Sequence, residues 1–182
     1  GKSLFMNNFT LGFIGFGNMA KAIAAGIQKS EQQPTTILAC NKKPIDPLPK
    51  HISQTTPKHV ITQSDIIIIA VKPQQFKDIK PYLNSIDVTH KCIISIMAGI
   101  TLSTITKLSS TLTSVIRVMP NTASIVNKSV TFISHTKTTN KTYINTTKTL
   151  FDTIGICEII NEQKMNLVTA IFGSGPAFIY QI

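Results

Sequence analysis

An apolar run from Phe9 to Ile14 meets the turn Gly15-Phe16-Gly17-Asn18-Met19-Ala20, and an alanine-rich segment follows at once. Met19, Ala20, Ile23, Ala24 and Ile27 recur at helical spacing, so the order is strand, tight turn, helix. The spelling G-x-G-x-x-A is a weak signal by itself. Between a strand and a helix it has the form of a dinucleotide-binding turn. Gly15 permits the tight turn, Gly17 lets the backbone approach a pyrophosphate with no Cβ in the way, and Ala20 keeps helix and strand close. The free amides at the helix start then face the phosphates. The competing reading is an ordinary turn with two glycines; its position and the pattern behind it favour the cofactor.

That pattern is alternation. Strands are expected at Thr35 to Cys40, His51 to Thr56, Ile66 to Val71, Cys92 to Met97, Ser114 to Val118, Ser129 to Ser134 and Ile156 to Ile160. Helices are expected from Pro57 to near Ser64, Phe76 to Leu83, Leu102 to Leu108 and about Lys141 to Ile154, with a last one beginning at Gln163. The run Ile66 to Val71 is apolar throughout, as in a strand covered on both faces of a parallel sheet. Asn41 to Lys50 holds Pro44, Pro47 and Pro49, which forbid a regular helix there. The fold class is therefore α/β: a Rossmann-type, doubly wound, mostly parallel sheet. Residues 1–162 would form the dinucleotide-binding domain. Residues 163–182 would start a last helix, cut short at Ile182.

Composition narrows the partners. With 182 residues and 42% hydrophobic side chains, the chain can bury a core. The net charge of +10 invites a nucleic-acid reading. Its lysines are scattered, however, Arg117 is its single arginine, and it has three tyrosines and no tryptophan. Base readout leans on arginine and single-strand binding on stacked aromatics, so no nucleic-acid partner is expected. No apolar run approaches the ~20 residues that span a bilayer, so no membrane partner is expected either. The amino terminus has no small-residue cleavage site, which argues against a secretory signal. Cys40, Cys92 and Cys157 lie far apart and read as buried thiols of a reducing, cytoplasmic compartment. His51, His59, His90 and His135 do not cluster with carboxylates, so no metal site is expected.

The end of the second expected strand bears on the cofactor. An acid there would bond a ribose 2′-hydroxyl and repel a 2′-phosphate. This chain has Asn41-Lys42-Lys43 instead, which favours NADPH while leaving NADH possible. Lysines that are merely solvated are the other reading. Gly173-Ser174-Gly175 lacks the G-x-S-x-G spelling of a nucleophile elbow, so a serine hydrolase is a poor fit.

Five strings together resemble the pyrroline-5-carboxylate reductase family. They are Gly12 to Met19, Ala70-Val71-Lys72-Pro73-Gln74, Ser95 to Ile100, Val118-Met119-Pro120-Asn121-Thr122, and Gly173-Ser174-Gly175-Pro176-Ala177-Phe178. Order and spacing match across nearly the whole chain, and the last two strings are the more specific. The resemblance implies hydride transfer from NADPH to the C=N bond of 1-pyrroline-5-carboxylate, giving L-proline. It implies a homo-oligomer assembled through a helical second domain. By the same resemblance Gly15, Phe16, Gly17, Asn18, Met19 and Ala20 hold the pyrophosphate, and Asn41, Lys42 and Lys43 the adenosine side. Ala70, Val71, Lys72 and Pro73 line the ribose and nicotinamide region, with Ala98 and Gly99 beside the nicotinamide. Asn121, Thr122 and Glu162 would border the substrate. Glu162 has a second reading as a carboxylate at a helix N-terminus, and Lys72 as a solvated charge at a strand end. No residue is expected to serve as a catalytic acid or base.

Two departures from the family stand out. The stretch Asn41 to Lys50 is too short for the family's helix, and Pro57 replaces a family asparagine. The second domain has barely begun at Ile182, so the chain alone is expected to bind cofactor but turn over little. Rival readings are a non-catalytic dinucleotide-binding module and a related imine or 3-hydroxyacid reductase.

Overall fold

In the computed structural model, residues 4–120 and 129–173 are described. Eight strands form one sheet in the order β3-β2-β1-β4-β5-β6-β7-β8. They are β1 (Thr10–Ile14), β2 (Thr36–Cys40), β3 (Ile52–Gln54), β4 (Ile66–Ile69), β5 (Cys92–Ser95), β6 (Ser114–Pro120), β7 (Val130–His135) and β8 (Ile156–Ile159). The first six run parallel. β7 pairs antiparallel with β6, and β8 parallel with β7.

The four isoleucines of β4 show how the sheet divides the core. Successive side chains on a strand point to opposite faces. Ile66 and Ile68 join Phe13, Ile23, Ile27 and Phe151 on one side. Ile67 and Ile69 join Val60, Leu83 and Ile105 on the other. The first layer is built with α1 (Asn18–Ile27) and α5 (Lys141–Phe151), the second with α2 (Pro57–Gln63), α3 (Lys80–Ser85) and α4 (Leu102–Thr106). A sixth helix, α6 (Glu162–Gly173), packs on β7.

Two expectations need adjusting. The single helix from Phe76 to Leu83 is a 3₁₀ helix at Pro73–Asp78 followed by α3. Pro81 has no N–H to give to a preceding turn, so it is tolerated only within the first turn of a new helix. Cys40 and Cys92 are buried, but Cys157 on β8 is only half-buried. Asn41 to Lys50 forms no helix, in keeping with its prolines.

The strand order reverses at β1, which lies between β2 and β4. In open parallel sheets the crevice at such a switch point, beyond the carboxyl ends of the strands, is where ligands bind. The turn after β1, the segment after β2 and the segment after β4 all converge there.

Candidate functional site

The turn after β1 is held by backbone groups from both neighbouring strands. Gly15 N–H donates to the Cys40 carbonyl at 2.9 Å, and Ala70 N–H to the Ile14 carbonyl at 2.8 Å. Gly15 has φ +87°, and an added Cβ would stand 2.9 Å from the Ala70 carbonyl oxygen. Fold geometry therefore requires glycine at this position. Gly17 differs. Its φ of −84° suits any residue, and a Cβ added there would meet nothing within 4 Å. Among the described residues nothing demands this glycine; it keeps open a cradle in front of α1.

Gly17 is also the N-cap of α1, and it offers no side chain to the first-turn amides. The first amide to find an intrahelical partner is Lys21, which donates to the Gly17 carbonyl at 3.0 Å. The first turn carries no acidic side chain. Free N–H groups and the positive end of the helix dipole thus face the cradle, which suits a phosphate-bearing group. The cradle opens into a cleft of about 500 Å³. Gly15, Phe16, Gly17, Asn41, Lys42, Ala70, Val71 and Lys72 line it, together with Pro57, Gln75, Asp78, Ile79 and Tyr82. The shape and donors fit a dinucleotide.

Not every expected residue plays the same part. The Phe16 side chain is buried and meets the Phe13 ring edge-on at 5.3 Å. Its backbone N–H donates to Asn41 Oδ1 at 3.2 Å, while Asn41 Nδ2 donates to the Lys43 carbonyl at 3.2 Å. Asn41 Oδ1 therefore ties the glycine turn to the segment after β2, while Nδ2 braces that segment on itself. Asn18 and Met19 are exposed at the helix start, and Ala20 is buried against the sheet. Lys42 lines the cleft; Lys43 and Pro73 do not. Cys40 also lines it, but burial pushes its thiol up, against a smaller downward pull from the Gly15 N–H. It is a poor nucleophile there.

Ala98 and Gly99, after β5, border a second pocket of about 420 Å³ with Arg117, Asn166, Thr169 and Ala170. Gly99 has φ +75° and open space where a Cβ would stand. Sequence reasoning passed over Arg117, yet its guanidinium is buried at this pocket. Nη1 donates to Glu162 Oε1 at 2.6 Å and to Asn166 Oδ1 at 2.8 Å, and Nη2 to Thr169 Oγ1 at 3.2 Å. All three partners lie on one stripe of α6. Glu162 Oε1 also accepts from Leu102 N–H at the head of α4 (3.1 Å), and Oε2 from Ser134 Oγ (2.8 Å). Glu162 thus joins α4, α6, β6 and β7. Asn121 and Thr122 lie outside the described residues, as does the string from Ser174 to Phe178.

Asp78 is the other residue that sequence reasoning missed. It reaches the cleft from the end of the 3₁₀ helix, and Lys42 Nζ donates to its Oδ2 at 3.2 Å. A separation of 36 residues left no local signal for this pair.

The chain is similar to known proteins over most of its length. Residues 10–99 match the family model described as NADP oxidoreductase coenzyme F420-dependent. The protein named pyrroline-5-carboxylate reductase 2 in Bacillus subtilis is 35% identical over 94% of this chain, which spans 64% of that relative. Pyrroline-5-carboxylate reductase of Methanosarcina acetivorans is 32% identical over 97% of this chain and 68% of its own length. The crystal structure of the Plasmodium falciparum pyrroline carboxylate reductase with NADP bound superposes with a TM-score of 0.76 at 28% identity, covering 97% of this chain and 66% of that one. Matches of this identity and extent show that the chain belongs to the pyrroline-5-carboxylate reductase family.

Proposed function

We propose that this chain takes part in reducing 1-pyrroline-5-carboxylate to L-proline with NADPH as the hydride donor. The observation that carries the proposal is Gly17: a glycine the fold does not need, at the uncapped head of α1, in a cleft between β1 and β4. NADPH, when bound, supplies the hydride that the C=N carbon accepts. The chain's own task is to bind and orient. The backbone from Gly15 to Ala20 holds the pyrophosphate, Lys42 faces the adenosine ribose, and Ala70 to Pro73 line the path toward the nicotinamide. Ala98 and Gly99 border the reacting end, with Asn121 and Thr122 beside the substrate ring. Holding two reactants in register and excluding water accounts for much of such a rate enhancement. No strong base is needed, because a protonated imine is already a good hydride acceptor.

Both oxygens of Glu162 already accept from protein donors. That supports a positioning part for Glu162, setting α6 against the sheet, over direct contact with the ring nitrogen. Residues 1–162 would form the cofactor domain and 163–182 the start of a helical one through which copies associate. The chain spans less than two thirds of the Bacillus relative, so the whole reaction is tested in two steps. Calorimetric titration with NADPH should show saturable binding by this chain. Adding 1-pyrroline-5-carboxylate to the full-length protein should then consume NADPH and yield L-proline. Saturable NADPH binding without proline formation would rule out the substrate; absence of binding would rule out the cofactor.

A further inference from the structure

In this type of fold, the residue at the end of the second strand chooses between cofactors: an acid accepts from a ribose 2′-hydroxyl and repels a 2′-phosphate. β2 ends at Cys40, and Asn41, Lys42 and Lys43 follow it with no acid among them. The tertiary structure brings one from elsewhere. Asp78 closes the 3₁₀ helix after β4, lines the same cleft as Gly17 and Lys42, and sits 3.2 Å from Lys42 Nζ.

The other candidates at this end of the cleft are already engaged or turned away. Asn41 is held in place by its bonds to Phe16 N–H and the Lys43 carbonyl. The Lys43 carbonyl also accepts from Gln54 Nε2 at 3.1 Å, and its side chain is not part of the cleft wall. Of the charged residues that line the cleft, Lys42, Lys72 and Asp78, the first and the last face each other, open to solvent, with side chains 70% and 48% exposed.

We infer that Asp78 sets the choice between NADPH and NADH, competing with a 2′-phosphate for Lys42 and accepting from the 2′-hydroxyl when no phosphate is there. This rests on the dinucleotide reading of the cleft and deepens it. A 2′-phosphate carries close to two negative charges at neutral pH. To reach Lys42 it must displace the Asp78 carboxylate, which then remains as a repelling neighbour. A cofactor without that phosphate leaves the ion pair whole and gains an acceptor for its hydroxyl. Lys42 and Asp78 therefore pull selectivity in opposite directions, and the pocket admits both cofactors. An exposed pair of this kind is screened by water, so its effect is several-fold.

The test is calorimetric titration of the chain, of Asp78→Asn and of Lys42→Ala, each with NADPH and separately with NADH. Asp78→Asn should tighten NADPH by roughly fivefold and weaken NADH, raising the preference for NADPH about tenfold. Lys42→Ala should lower that preference by a similar factor. Both side chains are exposed, so neither change endangers the fold, and unchanged melting temperatures would verify that. A preference that stays within about twofold of the parent in Asp78→Asn, or moves toward NADH, overturns the inference while leaving the cofactor reading intact. Failure of the parent to bind either dinucleotide overturns both.

Discussion

Two corners of the molecule at the carboxyl edge of one sheet are built on opposite plans. The corner between β1 and β4 is made of backbone, with a glycine whose missing side chain leaves space and a helix end whose amides await a partner. The corner between β6 and α6 is made of side chains, and its buried guanidinium has a carboxylate, an amide and a hydroxyl already in place. Unpaired polar groups are tolerable where solvent or a ligand can reach them and costly where neither can. The first corner is thus equipped to receive something, while the second holds two parts of the chain together.

This contrast can be broken most forcefully at the second corner. Arg117→Met keeps much of the volume and removes the cation, leaving the Glu162 carboxylate without its charged partner. With the cation buried and Glu162 partly exposed, losing the pair and its hydrogen bonds should cost about 2 kcal/mol of stability, measurable by denaturant unfolding. A loss within experimental error would mean that Glu162 rotates to water and the corner is no clamp.

At the first corner the two glycines should separate binding from folding. Gly17→Asp places a carboxylate where the pyrophosphate would lie and should weaken NADPH roughly 100-fold, since like charges in contact repel by several kcal/mol in a partly shielded site. The melting temperature should scarcely change, because a Cβ at position 17 meets nothing. Gly15→Ala should show the reverse emphasis. Its φ of +87° and the nearby Ala70 carbonyl put the cost at about 2 kcal/mol of stability. Equal effects on stability from both variants would erase the distinction between a fold glycine and a ligand glycine.

The smallest effect concerns the thiols, which compare the sheet's centre with its edge. Cys157 is half-buried on the edge strand β8, and burial pushes its thiol up to about 11. Cys40 and Cys92 are buried, and burial raises both. Because the thiolate is the reactive form, Cys157 should be alkylated slowly at neutral pH and faster as pH rises toward its raised value. Cys40 and Cys92 should lag behind it in the native protein. Fast labelling of Cys157 at pH 7, followed by mass spectrometry, would contradict this burial.

Much of the architecture is legible in the chain because it is written locally. Four isoleucines in a row before Ala70 mark a strand covered on both faces, and the alternation of such runs with helical spacing leads to a parallel layered sheet. The split of the segment after Lys72 into a 3₁₀ helix and α3 is harder to see. Apolar spacing from Phe76 to Leu83 suits one helix, and only the proline at 81 argues for two. The antiparallel turn of β7 against β6 has no local spelling at all, since a strand's composition carries no sign of its direction.

The site divides in the same way. Gly15, Gly17 and Ala20 announce their work by spacing, because a turn of adjacent residues can be read from adjacent letters. Asp78 and Arg117 do not. Asp78 is one more exposed acid until the fold sets it against Lys42 across 36 residues. Arg117 lies in an apolar run of β6, where its own neighbours offer it no partner; Glu162, Asn166 and Thr169 come from a helix that follows two further strands. The sequence by itself determined the layered α/β class, the glycine turn at the head of α1 and the family. Only the tertiary structure decided which charges meet. The physical reason is range: backbone preference and hydrophobic period act over a few residues, whereas an ion pair is set by distance in space, which the packing of the whole sheet settles.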